Sequence, residues 1–176
     1  VGAGRVIIGM DNGRVASLSL NDGQPLWEQA VAVPSGRTEL ERITDIDGDL
    51  LDAQSCVVAS SFGGELACLN FESGQVQWRR PIRNYADMAV SSDKLFVTDE
   101  AGTIWAVDLS TGAAAWKQEA LQYRRLSGAA FHAGYVVVGD FEGYLHWLDP
   151  STGAIVARKR IGSDPIITAP VSDDER

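Results

Sequence analysis

Apolar residues along this chain fall in short alternating runs, and no segment shows helical spacing. Thr103-Ile104-Trp105-Ala106-Val107-Asp108 is the clearest case, with the period of a strand that buries one face. Four segments, residues 11–27, 62–78, 100–116 and 141–157, align on one another without a gap. One glycine column holds Gly13, Gly64, Gly102 and Gly143, and a second holds Gly23, Gly74, Gly112 and Gly153. Three of the four segments end in tryptophan: Trp27, Trp78 and Trp116. An apolar run rich in Val, Ile and Phe precedes each segment, at residues 5–10, 56–60, 94–98 and 135–139. A further short strand, as at 87–90 and 128–131, completes a set of four.

Four strands repeated about every 40 residues predict an all-β fold, a β-propeller of four-stranded antiparallel blades. The blades are centred on residues 5–27, 52–78, 87–116 and 128–157, with a trailing strand over 166–172. Ten residues before each tryptophan stand Ser17, Cys68 and Ala106, all small. A small residue on one strand leaves room for an indole from the next blade, so Trp27, Trp78 and Trp116 read as blade-docking groups. In the fourth repeat the volumes are exchanged. Trp147 occupies the small position and Ala157 the tryptophan position, as a volume-conserving swap between facing sites would have it.

The first glycine column is spaced by 51, 38 and 41 residues, so the first interval carries an insertion, at residues 34–50. It lies on the link between the outer strand of one blade and the inner strand of the next, an exposed place where binding residues are commonly carried. Within it, residues 38–50 read TELERITDIDGDL. Arg42 can offer a bidentate fork to a partner carboxylate, and Asp45 and Asp47 can accept from basic groups. Glu41 and Ile43 complete the candidate contact surface. The run at 45–49 does not fit a calcium loop of the EF-hand type, because glycine falls at its fourth place and Cys56 at its twelfth. Links expected at the same side hold Arg79, Arg80, Arg83, Arg124 and Arg125, and Arg124 joins the candidate surface.

Composition narrows the remaining classes. With 15 basic against 24 acidic residues the formal charge is −9, which opposes non-specific binding to nucleic acid or anionic lipid. No basic run or aromatic–arginine platform is read from the sequence. No apolar run approaches the roughly 20 residues of a membrane helix. A two-residue turn at Gly63-Gly64 sets Cys68 opposite Ala59 and turns Cys56 and Cys68 to opposite faces. Two buried free thiols are therefore expected, and only a longer loop would let them pair. Two cysteines and the isolated His132 and His146 have no metal-ligand spacing. No G-x-S-x-G motif or phosphate loop is present.

The repeat at residues 106–116, AVDLSTGAAAW, resembles the tryptophan-docking repeat of quinoprotein-type (PQQ-like) propellers. More narrowly, residues 9–15 (GMDNGRV), 38–47 (TELERITDID) and 136–149 (VVVGDFEGYLHWLD) together resemble the BamB family. These are propeller lipoproteins of the β-barrel assembly (BAM) machinery of the Gram-negative outer membrane. The resemblance implies an eight-bladed parent in the periplasm, held to the inner leaflet of the outer membrane by an N-terminal lipid. It implies no enzyme activity, and neither a cofactor nor a metal is expected. It implies binding to the POTRA domains of BamA, with Asp45 and Asp47 in the contact and nascent outer-membrane proteins as further clients. A second contact loop is expected upstream of Val1. About half a ring is expected here, a C-terminal-half fragment with three complete blades and one lacking its inner strand, whose open faces invite self-association. The alternatives are a fragment of a PQQ-dependent dehydrogenase, which needs calcium ligands and cofactor-clamping residues not evident here, and a propeller interaction module with another partner.

Overall fold

The computed structural model describes residues 4–31, 50–53, 56–61, 64–84 and 86–171. Among these there is no helix, and the strands divide between two compact units. The first unit holds an antiparallel sheet of β1 (Arg5–Gly9), β2 (Arg14–Ser19) and β3 (Pro25–Ala30). It also holds a four-stranded sheet of β4 (Leu51–Asp52), β5 (Cys56–Ser61), β6 (Glu65–Asn70) and β7 (Val76–Arg80). The second unit holds β8 (Ala89–Ser91), β9 (Lys94–Thr98), β10 (Ile104–Asp108) and β11 (Ala114–Gln118) as one sheet. Its other sheet is β12 (Ala130–His132), β13 (Tyr135–Gly139), β14 (Tyr144–Leu148) and β15 (Ile155–Arg160). Each is a meander of successive neighbours, the blade of a propeller. Residues 166–171 form no strand, in contrast to the expectation for 166–172. The Ile166 N–H instead donates to the Asp140 carbonyl at 3.0 Å.

The cores follow from the alternation. In the first unit Val15, Val31, Ala59, Ala67 and Leu69 pack together, with Trp27 and Leu50 against them. In the second, Phe96, Ile104, Ala106, Val136, Val138 and Leu148 form the centre, and Phe96 stacks on Phe131 at 5.9 Å.

The hairpin turns correct one expectation. Ser61 pairs with Glu65, and the Gly64 N–H donates to the Ser61 carbonyl at 2.9 Å with φ +84°. This is a three-residue loop closed by glycine in the left-handed region, not a two-residue turn. The extra residue moves the register by one, so Cys68 faces Val58 instead of Ala59. A one-residue shift turns every side chain of a strand over. Cys56 and Cys68 now share a face, their Cα atoms stand 5.7 Å apart, and they form a disulfide. Both residues are fully buried.

The tryptophans correct a second. Ser17, Cys68 and Ala106 are the direct cross-strand partners of Trp27, Trp78 and Trp116, and Trp147 is that of Ala157. The small residue therefore faces its tryptophan within one sheet. The socket on the neighbouring turn is a glycine. Trp27 lies on Gly74 and Trp116 on Gly153, while Trp78 lies on Gly112, which clusters with the first unit. A Cβ at Gly74 would come within 2.5 Å of the Trp27 ring. Each of two indoles also donates to the turn it covers, Trp27 Nε1 to the Phe71 carbonyl at 3.1 Å and Trp116 Nε1 to the Pro150 carbonyl at 2.9 Å. Covering such a ring removes enough apolar surface to contribute roughly 2–3 kcal/mol.

Candidate interaction surface

Glu41, Arg42, Ile43, Asp45 and Asp47 lie outside the described residues. What the structure defines is the pair of stems that carry them. On the entry side, Val31 is fully buried and its N–H donates to the Gly13 carbonyl at 2.9 Å. There Arg79 also donates to the Ala30 carbonyl at 3.0 Å and pairs with Glu65 at 3.7 Å. On the exit side, Leu50 packs against the first core, and Leu51 and Asp52 pair with Val58 and Val57. A cavity of 180 Å³ lies beside this exit, lined by Arg5, Ile7, Leu50, Asp52 and Phe71 among others. The described residues on either side of the insertion are thus fastened to the first unit.

Arg124 sits on the link from β11 to β12, the topological counterpart of that insertion. Its guanidinium is turned into the fold. Nε donates to Asp140 Oδ2 at 2.6 Å and a terminal nitrogen donates to Glu142 at 2.8 Å. Asp140 is fully buried at the start of the β13–β14 turn. Its Oδ1 accepts from the Glu142 and Tyr144 N–H groups at 2.9 and 3.0 Å, and its Oδ2 also meets His146 Nε2 at 2.8 Å. Burial alone would push the Asp140 carboxyl up. The bonds from His146, the Tyr144 N–H, Arg124 and the Glu142 N–H outweigh it and hold the group below the ordinary aspartate range. The Asp140 bond raises Arg124 in turn, against the effect of burial. Arg124 thus anchors its loop and does not offer a free fork outward.

Around this anchor lies an aromatic–arginine cluster that sequence reading missed. The guanidinium carbons of Arg158, Arg160 and Arg124 stand 5.0, 5.5 and 5.6 Å from the centre of the Tyr144 ring. Arg125 covers Phe141 at 5.1 Å. The run Arg158-Lys159-Arg160 was a visible signal. Its meaning depended on register, since Arg160 pairs with Tyr144 and Arg158 with His146. Of the other basic residues singled out, Arg83 lies against Gly64, where an added Cβ would collide with its side chain. Trp147 borders two shallow cavities of 230 and 430 Å³ on the opposite face of β14. Among the described residues no group of three or more His, Cys, Asp or Glu side chains could hold a metal ion.

Consecutive antiparallel blades joined by tryptophan-on-glycine docking define a β-propeller of the PQQ-like repeat type. The likeness to a europium-containing methanol dehydrogenase, TM-score 0.69 at 14% identity over 92% of this chain and 40% of that one, shows this fold alone. The family model described as "Outer membrane protein assembly factor BamB" matches residues 1–118, and the chain belongs to that family. It is 46% identical over 173 residues to the BamB of Xanthomonas campestris, covering 98% of this chain and 43% of that protein. It is 33% identical to the BamB of Escherichia coli K12, covering 97% and 44%. The crystal structure of BamB from Moraxella catarrhalis superposes with a TM-score of 0.86 at 25% identity, over 99% of this chain and 52% of that one. The chain spans about half the length of the curated relatives it matches.

Proposed function

We propose that this chain is part of a non-catalytic scaffold that assists the assembly of outer-membrane β-barrels, docking on the POTRA domains of BamA. Membership of a family named for outer membrane protein assembly carries the reading. The insertion supports the choice of site, because it breaks the repeat and springs from two fastened stems. In this reading Arg42, Asp45 and Asp47 make the contact, Glu41 and Ile43 flank it, and Arg124 serves as an anchor for the β11–β12 link. The whole protein is an eight-bladed ring on the periplasmic side of the outer membrane, tethered by a lipid, with nascent outer-membrane proteins as further clients. The buried Cys56–Cys68 disulfide supports an oxidising compartment such as the periplasm. Charge reversal at Asp45 and Asp47 (Asp45→Lys with Asp47→Lys) is expected to abolish binding to purified BamA POTRA domains while leaving the β circular dichroism unchanged. Unaltered affinity in a titration would remove the site assignment.

A further inference from the structure

Among the described residues four that are not glycine have left-handed backbone, and two of them, Tyr123 (φ 65°) and Arg125 (φ 49°), flank Arg124 in one loop. Such a conformation costs about 1–2 kcal/mol per residue and persists where the surroundings enforce it. Here they do. Arg124 is clamped on Asp140 and Glu142, buried Leu121 roots the loop, and the Phe141 N–H donates to the Arg124 carbonyl at 3.0 Å. The Tyr123 N–H donates to the Ala101 carbonyl at 3.2 Å, yet its side chain is 92% exposed. The loop therefore holds a tyrosine out in water at an energetic cost. Phe141, hydrogen-bonded to the Arg124 carbonyl and 45% exposed, carries Arg125 over its ring. The Arg124 guanidinium also lies over the Tyr144 ring, which it shares with the exposed Arg158 and Arg160.

The charges of this rim are not balanced. Among the described residues neither Arg125 nor Arg158 forms an ion pair, and Arg160 Nε donates only to the Gly162 carbonyl at 3.0 Å. These unmatched guanidinium groups stand out on a chain of net charge −9. Stacking on aromatic rings restricts their rotamers while leaving their edges open to carboxylates, which arginine grips two bonds at a time. Exposed tyrosine and arginine held rigidly are the side chains that dominate interface energies.

We propose that Tyr123, Arg125, Phe141, Tyr144, Arg158 and Arg160 form a docking surface of the second unit for an acidic segment of a partner protein that also bears aromatic side chains. The unpaired Arg125, Arg158 and Arg160 match carboxylates spaced along a chain, so an acidic peptide is the occupant, and an anionic vesicle is the competing outcome of the test.

The test titrates the whole 176-residue chain, labelled for amide NMR, with a synthetic peptide of about 12 residues built from aspartate and phenylalanine, a length that spans such a patch in extended form. A matched peptide carries asparagine for aspartate, and vesicles of phosphatidylglycerol form a third arm. The acidic peptide is expected to shift the amides of the six residues and to lose affinity as salt rises. Arg125→Glu with Arg158→Glu is expected to weaken it about tenfold or more, and so is Tyr123→Gly. Tyr123→Gly also relieves the left-handed strain, so it loses binding without losing thermal stability. The proposal is overturned if the asparagine peptide binds equally, if these substitutions leave affinity unchanged, or if only the vesicles bind.

Discussion

The tryptophan-on-glycine socket can be weighed by placing one substitution at two positions that differ in a single respect. Gly23 and Gly74 occupy the same turn of adjacent sheets in the first unit, with φ +71° and +70°. A Cβ at Gly23 meets nothing within 4 Å, whereas a Cβ at Gly74 meets two atoms of the Trp27 ring at 2.5 Å. Gly23→Ala therefore carries only the backbone cost, about 1 kcal/mol once the reduced freedom of the unfolded chain is allowed for. Gly74→Ala carries the same cost and must also displace the indole. Overpacking of this kind adds about 1–3 kcal/mol. Losing the Trp27 Nε1 bond to the Phe71 carbonyl adds about 1 kcal/mol more. The expectation is a destabilisation of about 1 kcal/mol at Gly23 and about 3–5 kcal/mol at Gly74, read from urea denaturation by circular dichroism. In a Trp27→Ala background the ring is gone, and Gly74→Ala should then cost no more than Gly23→Ala. Equal losses at the two glycines, or an undiminished loss at Gly74 without the ring, would refute the socket.

Other perturbations address the disulfide and the buried aspartate. Cys56→Ser with Cys68→Ser should destabilise the first unit by about 3 kcal/mol, since the bridge closes a loop of sequence separation 12. Alkylation in denaturant without reductant should modify neither cysteine of the parent chain, as mass spectrometry would report. Asp140→Ala leaves Arg124 facing a buried gap and should cost about 3 kcal/mol or more in thermal or chemical denaturation. The Asp140 carboxyl is held below its ordinary value, so its stabilisation is fully present above the unfolded aspartate pKa of about 3.9. It is lost as pH falls through the lower folded value, and Asp140→Asn should flatten that acid limb of the melting temperature.

The blade pattern was legible because it rests on local chemistry. Glycine columns, alternation and turn residues each constrain only a few neighbouring positions, and every repeat restates them. The pairing of Cys56 with Cys68 was not, because it depends on whether a loop holds two residues or three. Gly63-Gly64 satisfies both turn types on paper, and parity then reverses the conclusion. The tryptophan partners failed differently. Ser17 and Trp27 do face each other, as their volumes imply, but volume cannot say whether facing positions share a sheet. The docking glycines carry no volume signal at all. Arg124 appeared as an exposed cation because its partner Asp140 is 16 residues away and looks in sequence like any turn residue.

That turn shows how a repeat can hold a site without advertising it. Asp99 opens the β9–β10 turn as Asp140 opens the β13–β14 turn, each with its Oδ1 bound to two N–H groups of its own loop. Six residues on, Trp105 Nε1 meets Asp99 Oδ2 at 2.9 Å, and His146 Nε2 meets Asp140 Oδ2 at 2.8 Å. The two earlier repeats have Met10 with Ala16 and Ser61 with Ala67 at these places, so neither has the carboxylate or the ring nitrogen. Between the two aspartates the difference lies in what else can reach Oδ2. At Asp140 the same oxygen also takes Arg124, and through that bond the carboxylate grips the preceding link. The grip holds Tyr123 and Arg125 in left-handed backbone and directs the tyrosine outward. One extra cation on a shared turn thus converts a structural cap into the foundation of an exposed surface. Arg124→Gln tests that step, because it keeps a hydrogen-bond donor but removes the charge. The loop should relax toward ordinary backbone, seen as lost hydrogen-exchange protection at the Phe141 N–H, while the blade cores keep theirs. Unchanged protection at Phe141 would mean that the loop holds its shape without the ion pair.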